Sequence, residues 1–119
     1  MDFDDQDIVQ TLERCDDATL DSLEFGVIGM TSDGVVARYN AYESRCAGLT
    51  PSRVLGKHFF TEVAPCTNNY LVASRFEEAA TLDEKLPYVF TLRMKPRKVE
   101  IRLLKGLDGE RQYILVRPR

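Results

Sequence analysis

Turn-forming residues divide this chain of 119 residues into short elements, and that division limits its fold more than any other feature. Ser32-Asp33-Gly34 predicts a tight turn between two β-strands. Gly48 is expected to end a short helix that begins at Asn40, and Thr50-Pro51 to begin another. The predicted strands cover residues 25–31, 35–39, 88–93, 98–105 and 112–117. Two strands, several short helices and three further strands indicate an α+β domain.

Further helices are predicted from the spacing of apolar residues. One covers residues 7–14, and a short helical turn follows over residues 19–23. Another covers residues 70–80 and is predicted to be the longest helix after the N-terminal segment. Its inward-facing residues are expected to be Leu71, Phe76 and Ala79. The last two strands are expected to be joined through Leu107-Asp108-Gly109.

Charge is distributed unevenly along the chain. Residues 1–24 carry nine acidic side chains and one basic side chain, a local net charge of −8, so residues 25–119 carry +5 within an overall charge of −3. This difference predicts that the acidic segment docks on the rest of the domain, with an attraction that salt weakens. A solubilising acidic arm is the alternative. The basic excess of the body is modest and lacks interleaved aromatic residues, so nucleic-acid binding is not predicted.

Membrane insertion and secretion are not predicted. No stretch approaches the roughly 18 apolar residues of a membrane-spanning helix, and the first residues, Met1-Asp2-Phe3, do not resemble a signal peptide. The three cysteines lack the spacing of a disulfide framework or a metal site, which favours a reducing compartment. The expected location is therefore cytoplasmic, without a bound metal.

Cys66 lies in the stretch Val63-Ala64-Pro65-Cys66-Thr67. Pro65 fixes its own φ angle and favours an extended conformation at Ala64, so the thiol is expected in a defined loop ahead of a helix. No second cysteine lies at a dithiol or metal-ligand spacing. From the residues alone, Cys66 is a nucleophile, an attachment point or a small apolar residue.

Tyr39 and Glu43 are four residues apart, so a helix would place them on one face. Glu43 has no basic residue three or four positions away. If it is buried, desolvation is expected to keep its carboxyl protonated at neutral pH. A phenol and a protonated carboxyl would then form a pair of donors suited to an anion. The alternative is that Glu43 is an ordinary solvated surface residue.

Together these stretches resemble the photoactive yellow protein family of blue-light receptors. The resemblance runs from about residue 16 to the C-terminus, with a short deletion near residues 81–86. It rests on Leu20-Asp21-Ser22-Leu23-Glu24-Phe25-Gly26, Tyr39-Asn40-Ala41-Tyr42-Glu43, Val54-Leu55-Gly56-Lys57-His58-Phe59-Phe60, Val63-Ala64-Pro65-Cys66-Thr67 and Met94-Lys95-Pro96.

The resemblance implies a PAS fold. This is a five-stranded antiparallel sheet with short helices on one face and an N-terminal helical cap on the other. Under this reading residues 1–24 form the cap and residues 25–119 form the PAS core. An antiparallel sheet can carry a core on one face and a second partner on the other.

The resemblance also implies a chromophore. In this family the cysteine that matches Cys66 carries p-coumaric acid (4-hydroxycinnamic acid) as a thioester, and the residues that match Tyr39 and Glu43 stabilise its ionised phenolic oxygen. Light isomerises the double bond, and Glu43 is then expected to give up its proton. The resulting buried carboxylate without a partner is expected to loosen the cap. Such a protein is a sensor and not a turnover enzyme.

The other pocket residues implied by the resemblance form an apolar wall. They are Ile28, Phe59, Val63, Ala64, Pro65, Phe90 and Met94. Ala47 and Leu49 also match pocket positions, but the family usually has threonine and arginine there. Loss of these neighbours is expected to alter colour and recovery rate without abolishing the site.

Two other functions remain open at this point. One is a PAS module without a chromophore that acts through dimerisation or docking. The other is a thiol redox sensor at Cys66, which would need a nearby cation or a resolving cysteine. For the receptor, the expected partner is an unidentified downstream signalling protein, and the expected state is a monomer or a weak dimer.

Overall fold

The computed structural model describes residues 1–92, 95–106 and 111–119, and these form a five-stranded sheet covered by short helices. The strands are β1 (Gly26–Thr31), β2 (Val36–Tyr39), β3 (Leu82–Leu92), β4 (Lys95–Lys105) and β5 (Arg111–Pro118). Their order across the sheet is β2-β1-β5-β4-β3, and each neighbouring pair is antiparallel. The predicted α+β fold with a five-stranded antiparallel sheet is confirmed.

The helices of the described residues are all short. They are α1 (Ile8–Arg14), α2 (Asp17–Asp21), α3 (Ala41–Ala47), α4 (Pro51–Val54) and α5 (Ala73–Glu78), with a π-helical turn (Phe59–Val63) and a 3-10 turn (Pro65–Thr67) between α4 and α5. Asn40 caps the start of α3, and Gly48 ends it with a φ of 71°. In the described part of the chain, no helix is long and apolar enough to cross a membrane.

Alternate residues along the strands point to opposite faces and build two cores. Ile28 and Leu103 face α3 to α5, whereas their chain neighbours Val27 and Leu104 face α1 and α2. The helix-side core consists of Ile28, Met30, Val36, Tyr39, Val54, Phe59, Phe60, Ala64, Val72, Ala73, Phe76, Leu82, Phe90, Val99, Ile101, Leu103, Ile114 and Val116. The cap-side core consists of Phe3, Ile8, Leu12, Leu20, Phe25, Val27, Leu104, Tyr113 and Leu115.

The acidic N-terminal segment lies across the far face of the sheet, as predicted. α1 buries Ile8 and Leu12 against this face, and α2 buries Leu20. The predicted division after residue 24 remains a prediction, because Phe25 packs with the cap although it directly precedes β1.

α5 is shorter than predicted, because the chain turns before the helix begins. The Asn69 side chain accepts hydrogen bonds from the backbone N–H groups of Leu71 and Val72 at 2.9 and 3.2 Å. Val72 is buried in consequence, while Leu71 is 38% exposed. The prediction that Leu71 faces inward is therefore wrong, whereas Phe76 is buried as predicted.

β3 is longer than predicted and begins at Leu82. The first half of the strand was not predicted because it contains residues that are uncommon in strands, namely Asp83, Lys85 and Pro87. All three are exposed. They are compatible with a strand because β3 lies at the edge of the sheet, where a residue without an N–H group is tolerated. The turn predicted at Leu107-Asp108-Gly109 lies outside the described residues.

Candidate functional site

Cys66 lies in a 3-10 turn that three side chains hold in place. Thr67 is fully buried, and its hydroxyl donates to the Ala64 carbonyl at 2.7 Å. The Cys66 carbonyl accepts hydrogen bonds from the Tyr88 hydroxyl at 2.6 Å and from the Asn69 side-chain amide at 3.1 Å. The Cys66 side chain is half-buried and packs against the helix-side core. The backbone of this turn is thus fixed while its thiol stays partly accessible.

Glu43 is a buried carboxyl on α3, with 1% of its surface exposed. A Cβ atom at Gly26 would lie 2.3 Å from Glu43 Oε1, so the absence of a side chain on β1 makes room for the carboxyl. Burial raises the pKa of Glu43 to about 7, and the positive charge of Arg97 opposes that rise. Glu43 can therefore gain or lose a proton near neutral pH.

Arg97 on β4 pairs with Glu43. Its Nη2 atom lies 2.9 Å from Glu43 Oε2 and 3.1 Å from Oε1. The sequence predicted a Glu43 carboxylate without a partner, because no basic residue lies three or four positions away. That expectation is wrong, since the sheet brings a cation to α3 from a strand 54 positions along the chain.

Arg97 could be found only through the pairing of β3 with β4. It lies opposite Phe90 in that pair, and residues opposite each other in antiparallel strands share a face. Its guanidinium carbon lies 5.7 Å from the centre of the Phe90 ring. Phe90 is a predicted pocket residue, so the strand register would have pointed to Arg97.

Tyr39 ends β2 and lies opposite Ile28 of β1. It is 8% exposed, and burial, followed by the negative charge of Glu43, raises its pKa above the usual range. The phenol is therefore neutral at any moderate pH and remains a hydrogen-bond donor.

Asn40 connects the Glu43 helix to the cap, a role that the sequence analysis did not predict. Its side-chain oxygen accepts from the N–H groups of Val27 and Glu43 at 2.9 and 3.1 Å. Its amide nitrogen donates to the carbonyls of Leu20 and Phe25, each at 2.9 Å. The sequence indicated Asn40 only as the residue that begins α3. Its contacts with the carbonyls of Leu20 and Phe25 depend on how the N-terminal segment packs against the sheet.

The predicted wall residues gather on the helix side of the sheet. Buried members of the helix-side core are Ile28, Tyr39, Phe59, Ala64 and Phe90. Partly buried residues that pack against it are Leu49, Val63 and Cys66. Pro65 is exposed, so it shapes the backbone of the turn rather than a buried wall. Met94 lies outside the described residues.

A cavity of about 480 Å³ lies beside the Glu43–Arg97 pair. Two of its lining residues, Ala47 and Phe90, are predicted pocket positions. The remaining lining residues are Arg45, Cys46, Gly48, Lys95, Pro96 and Arg97. Three cations and one aromatic ring line this cavity, and such a lining favours anionic groups, whereas Cys66, Tyr39 and Glu43 are not among its lining residues.

Comparison with models of protein families gives no match. Two photoactive yellow proteins are similar to the chain over nearly its whole length. The protein from Halochromatium salexigens is 37% identical over 118 residues, and the protein from Rhodothalassium salexigens is 34% identical over 118 residues. Each match covers 97% of this chain and 94% of the relative.

Solved structures agree with these relatives. The photoactive yellow protein domain of the sensor histidine kinase Ppr from Rhodospirillum centenum has a TM-score of 0.83 at 40% identity, covering 91% of this chain and 97% of that domain. The PAS domain of an HTR-like protein from Haloarcula marismortui, with a TM-score of 0.71 at 21% identity, covers 93% of this chain and 99% of its own and supports the fold alone. The chain therefore has the PAS fold and belongs to the photoactive yellow protein family.

Proposed function

We propose that this protein is a cytoplasmic blue-light photoreceptor that carries p-coumaric acid as a thioester on Cys66 and signals to a downstream protein. Membership of the photoactive yellow protein family supports a light-sensing role. The observation that carries the proposal is a buried carboxyl, Glu43, close to the buried phenol of Tyr39, in a chain that also holds a half-buried thiol against the same core.

The residues of the site fit an anionic aromatic group. Phe59 and Phe90 are fully buried on the helix side and suit a planar ring. Tyr39 is a neutral donor, and Arg97 Nη1 is buried without a hydrogen-bond partner among the described residues. A buried negative oxygen requires donors of this kind, because it is otherwise costly to remove from water.

The p-coumaroyl group, when bound, would supply absorption of visible light and a double bond that light isomerises. Cys66 Sγ would hold this group, while Tyr88 and Asn69 keep the Cys66 backbone in a fixed orientation. Tyr39 and Glu43 would donate hydrogen bonds to its phenolic oxygen in the dark. Such charge-assisted bonds are short and strong.

Glu43 is the residue that would release a proton after illumination, from its carboxyl oxygen to the phenolic oxygen. Its pKa of about 7 makes both protonation states accessible at neutral pH. Asn40 would transmit the change, because it binds the Glu43 backbone and the carbonyls of Leu20 and Phe25 at once. A shift of α3 would thereby loosen the cap.

The test is an absorption spectrum after incubation with activated p-coumaric acid, followed by a blue flash. We expect a visible band that bleaches and returns in the wild type and in Cys46→Ala, which removes an exposed cysteine. The band should be absent in Cys66→Ala. A wild-type protein that stays colourless would contradict the proposal and favour a PAS docking module.

The departures at Ala47 and Leu49 are tested in the same pigment. Ala47 lines the cavity and Leu49 packs against the helix-side core. We expect Ala47→Thr and Leu49→Arg to change the absorption maximum and the recovery rate, because each adds a polar group at the site. Identical spectra and recovery in these variants would contradict this expectation.

A further inference from the structure

We propose that Arg97 is the counter-ion of the site, with a positive charge that is shared between the Glu43 carboxyl and an anionic ligand on Cys66. The ligand half of this inference rests on the proposed function. The Glu43 half applies to the protein without a ligand. Under this proposal, release of a proton by Glu43 leaves a paired carboxylate rather than an isolated buried charge.

The contact with Glu43 uses only one nitrogen of the guanidinium. Nη2 reaches both carboxyl oxygens, at 2.9 and 3.1 Å. The Glu43 side chain is 1% exposed and that of Arg97 is 25% exposed, so water screens the pair only weakly. The interaction therefore favours the ionised form of Glu43 in direct opposition to burial, which favours the neutral form.

The second terminal nitrogen has no hydrogen-bond partner in the described part of the chain. Arg97 Nη1 is buried and makes no hydrogen bond within the described residues. An unsatisfied buried donor on a charged group is costly, and an acceptor oxygen on a ligand would remove that cost. The guanidinium also lies beside the Phe90 ring, which is part of the expected pocket wall. Arg97 thus donates to Glu43 through Nη2, and its Nη1 atom is able to donate to an oxygen of a ligand.

Other titratable and charged groups among the described residues lie around the pair. They are Tyr39 of β2, Tyr42, Arg45 and Cys46 of α3, and Lys95 of β4. Burial keeps Tyr39 neutral, and Arg45, Cys46 and Lys95 line the adjacent cavity. Within the described chain, the only side chain that hydrogen-bonds the Glu43 carboxyl is that of Arg97.

The charge balance explains what the counter-ion achieves. With the ligand bound, Glu43 would be neutral, Arg97 positive and the phenolic oxygen negative before transfer. The O–H bond at Glu43 would then break, its electron pair would stay on the carboxylate, and the proton would bond to the phenolic oxygen. Glu43 would become the negative partner of Arg97. The net charge of these three groups would be zero in both arrangements, which avoids the cost of a lone buried charge.

The first experiment titrates Glu43 by NMR in protein without ligand. We expect Arg97→Gln to raise the pKa of Glu43 by about one unit, a tenfold change in its protonation equilibrium, because only burial then acts on the carboxyl. Arg53→Gln, at an exposed arginine of α4, is the matched control and should change the pKa by less than about 0.3 unit. An unchanged Glu43 titration in Arg97→Gln would overturn the proposal.

A second measurement uses the wild-type protein, so that it does not depend on the folding of the Arg97→Gln variant. In the wild type, the side-chain nitrogen resonances of Arg97 should shift with the same midpoint as the Glu43 carboxyl, since the two groups are in contact. Arg97 resonances that do not respond through the Glu43 titration would overturn the proposal.

The second experiment uses protein loaded with p-coumaric acid and records its visible band against pH in the dark. Arg97→Gln should raise the midpoint at which the phenolate colour appears by about one unit, because a cation near the phenolate is lost. If Arg97→Gln shifts the pKa of Glu43 but not the pH midpoint of the colour, Arg97 does not act on the ligand, and the proposal that its charge is shared is overturned. If no pigment forms even in the wild type, the proposed function fails while the Glu43 half is still decided by the first experiment.

Discussion

The two faces of the sheet both depend on buried or half-buried arginines, but the partners of these arginines differ. On the cap side, Arg102 donates to the backbone carbonyls of Phe3 and Asp5, each at 2.8 Å, and to the two carboxylate oxygens of Asp83, at 2.8 and 2.9 Å. Arg38 donates to two carbonyls near the C-terminal end of α1, at 2.7 and 2.6 Å. Carbonyls do not titrate, and the hydrogen bond from Arg102 lowers the pKa of Asp83, so these contacts keep their strength near neutral pH.

On the helix side, the partner of the arginine is a carboxyl group that titrates near neutral pH. Arg97 contacts Glu43, whose pKa of about 7 lies in the physiological range. A single proton therefore changes the charge of this contact, whereas no proton near neutral pH changes the attachment of the cap. The sheet therefore separates a contact whose charge changes near neutral pH from the contacts that attach the cap.

Replacing Arg102 with methionine is expected to have the largest effect on stability. The carbonyls of Phe3 and Asp5 would lose their donors and Asp83 would lose its ion pair, so the free energy of unfolding should fall by about 3 kcal/mol in urea denaturation. Lys85→Met is the matched control, because Lys85 forms an exposed ion pair with Asp4 and should leave the midpoint nearly unchanged. Equal losses in the two variants would remove the distinction between buried and exposed contacts of the cap.

Glu43 should make the free energy of unfolding depend on pH between about 4.5 and about 7, whereas the pKa values of Asp4 and Asp16 in the cap are lowered. Its pKa is raised in the folded protein, from 4.5 to about 7, so the folded state binds the proton more tightly than the unfolded state. The free energy of unfolding should therefore fall as pH rises from about 4.5 to about 7, by about 3 kcal/mol in total.

Denaturation of Glu43→Gln as a function of pH checks this expectation. The variant should lose the decline, because glutamine stays neutral throughout. Glu77→Gln, at an exposed position, should keep it. A decline of the same size in Glu43→Gln would show that another group is responsible.

Tyr88→Phe is expected to loosen the Cys66 turn and to leave the cap intact. The hydroxyl donates to the Cys66 carbonyl at 2.6 Å, and its loss should cost about 1 kcal/mol. Amide exchange near Cys66 should accelerate, while exchange in α1 stays at the wild-type rate. Tyr70→Phe, at a side chain that is 76% exposed, is the control. Faster exchange in α1 as well would indicate that the two faces are not independent.

A high salt concentration should have the smallest effect on the attachment of the cap. At about 1 M ionic strength the Debye length is about 3 Å, so exposed pairs such as Lys85–Asp4 are screened. The contacts of Arg38 and Arg102 are buried and should persist. We therefore expect α1 to keep most of its protection against amide exchange at high salt. Loss of that protection would indicate that exposed ion pairs of the acidic side chains, and not the buried arginine contacts, hold the cap on the sheet.

Elements that depend on neighbouring residues could be predicted from the sequence. Gly34 takes a φ of 83° in the first hairpin, and Gly48 ends α3, because these positions require left-handed backbone conformations. β3 could not be bounded in this way, because Pro87 is acceptable only at the edge of a sheet. The start of α5 was also missed, since the Asn69 side chain captures the N–H groups that the helix would have used.

The order of the elements, the family and three candidate site residues, Cys66, Tyr39 and Glu43, could be predicted from the chain alone. Such features depend on residues close together in the chain and on recognisable motifs. The pairing of Arg97 with Glu43 and the contact of Asn40 with the cap arise from the tertiary fold. The charge of a buried carboxyl depends on its loss of water and on the nearest opposite charge, and distant parts of the chain supply both.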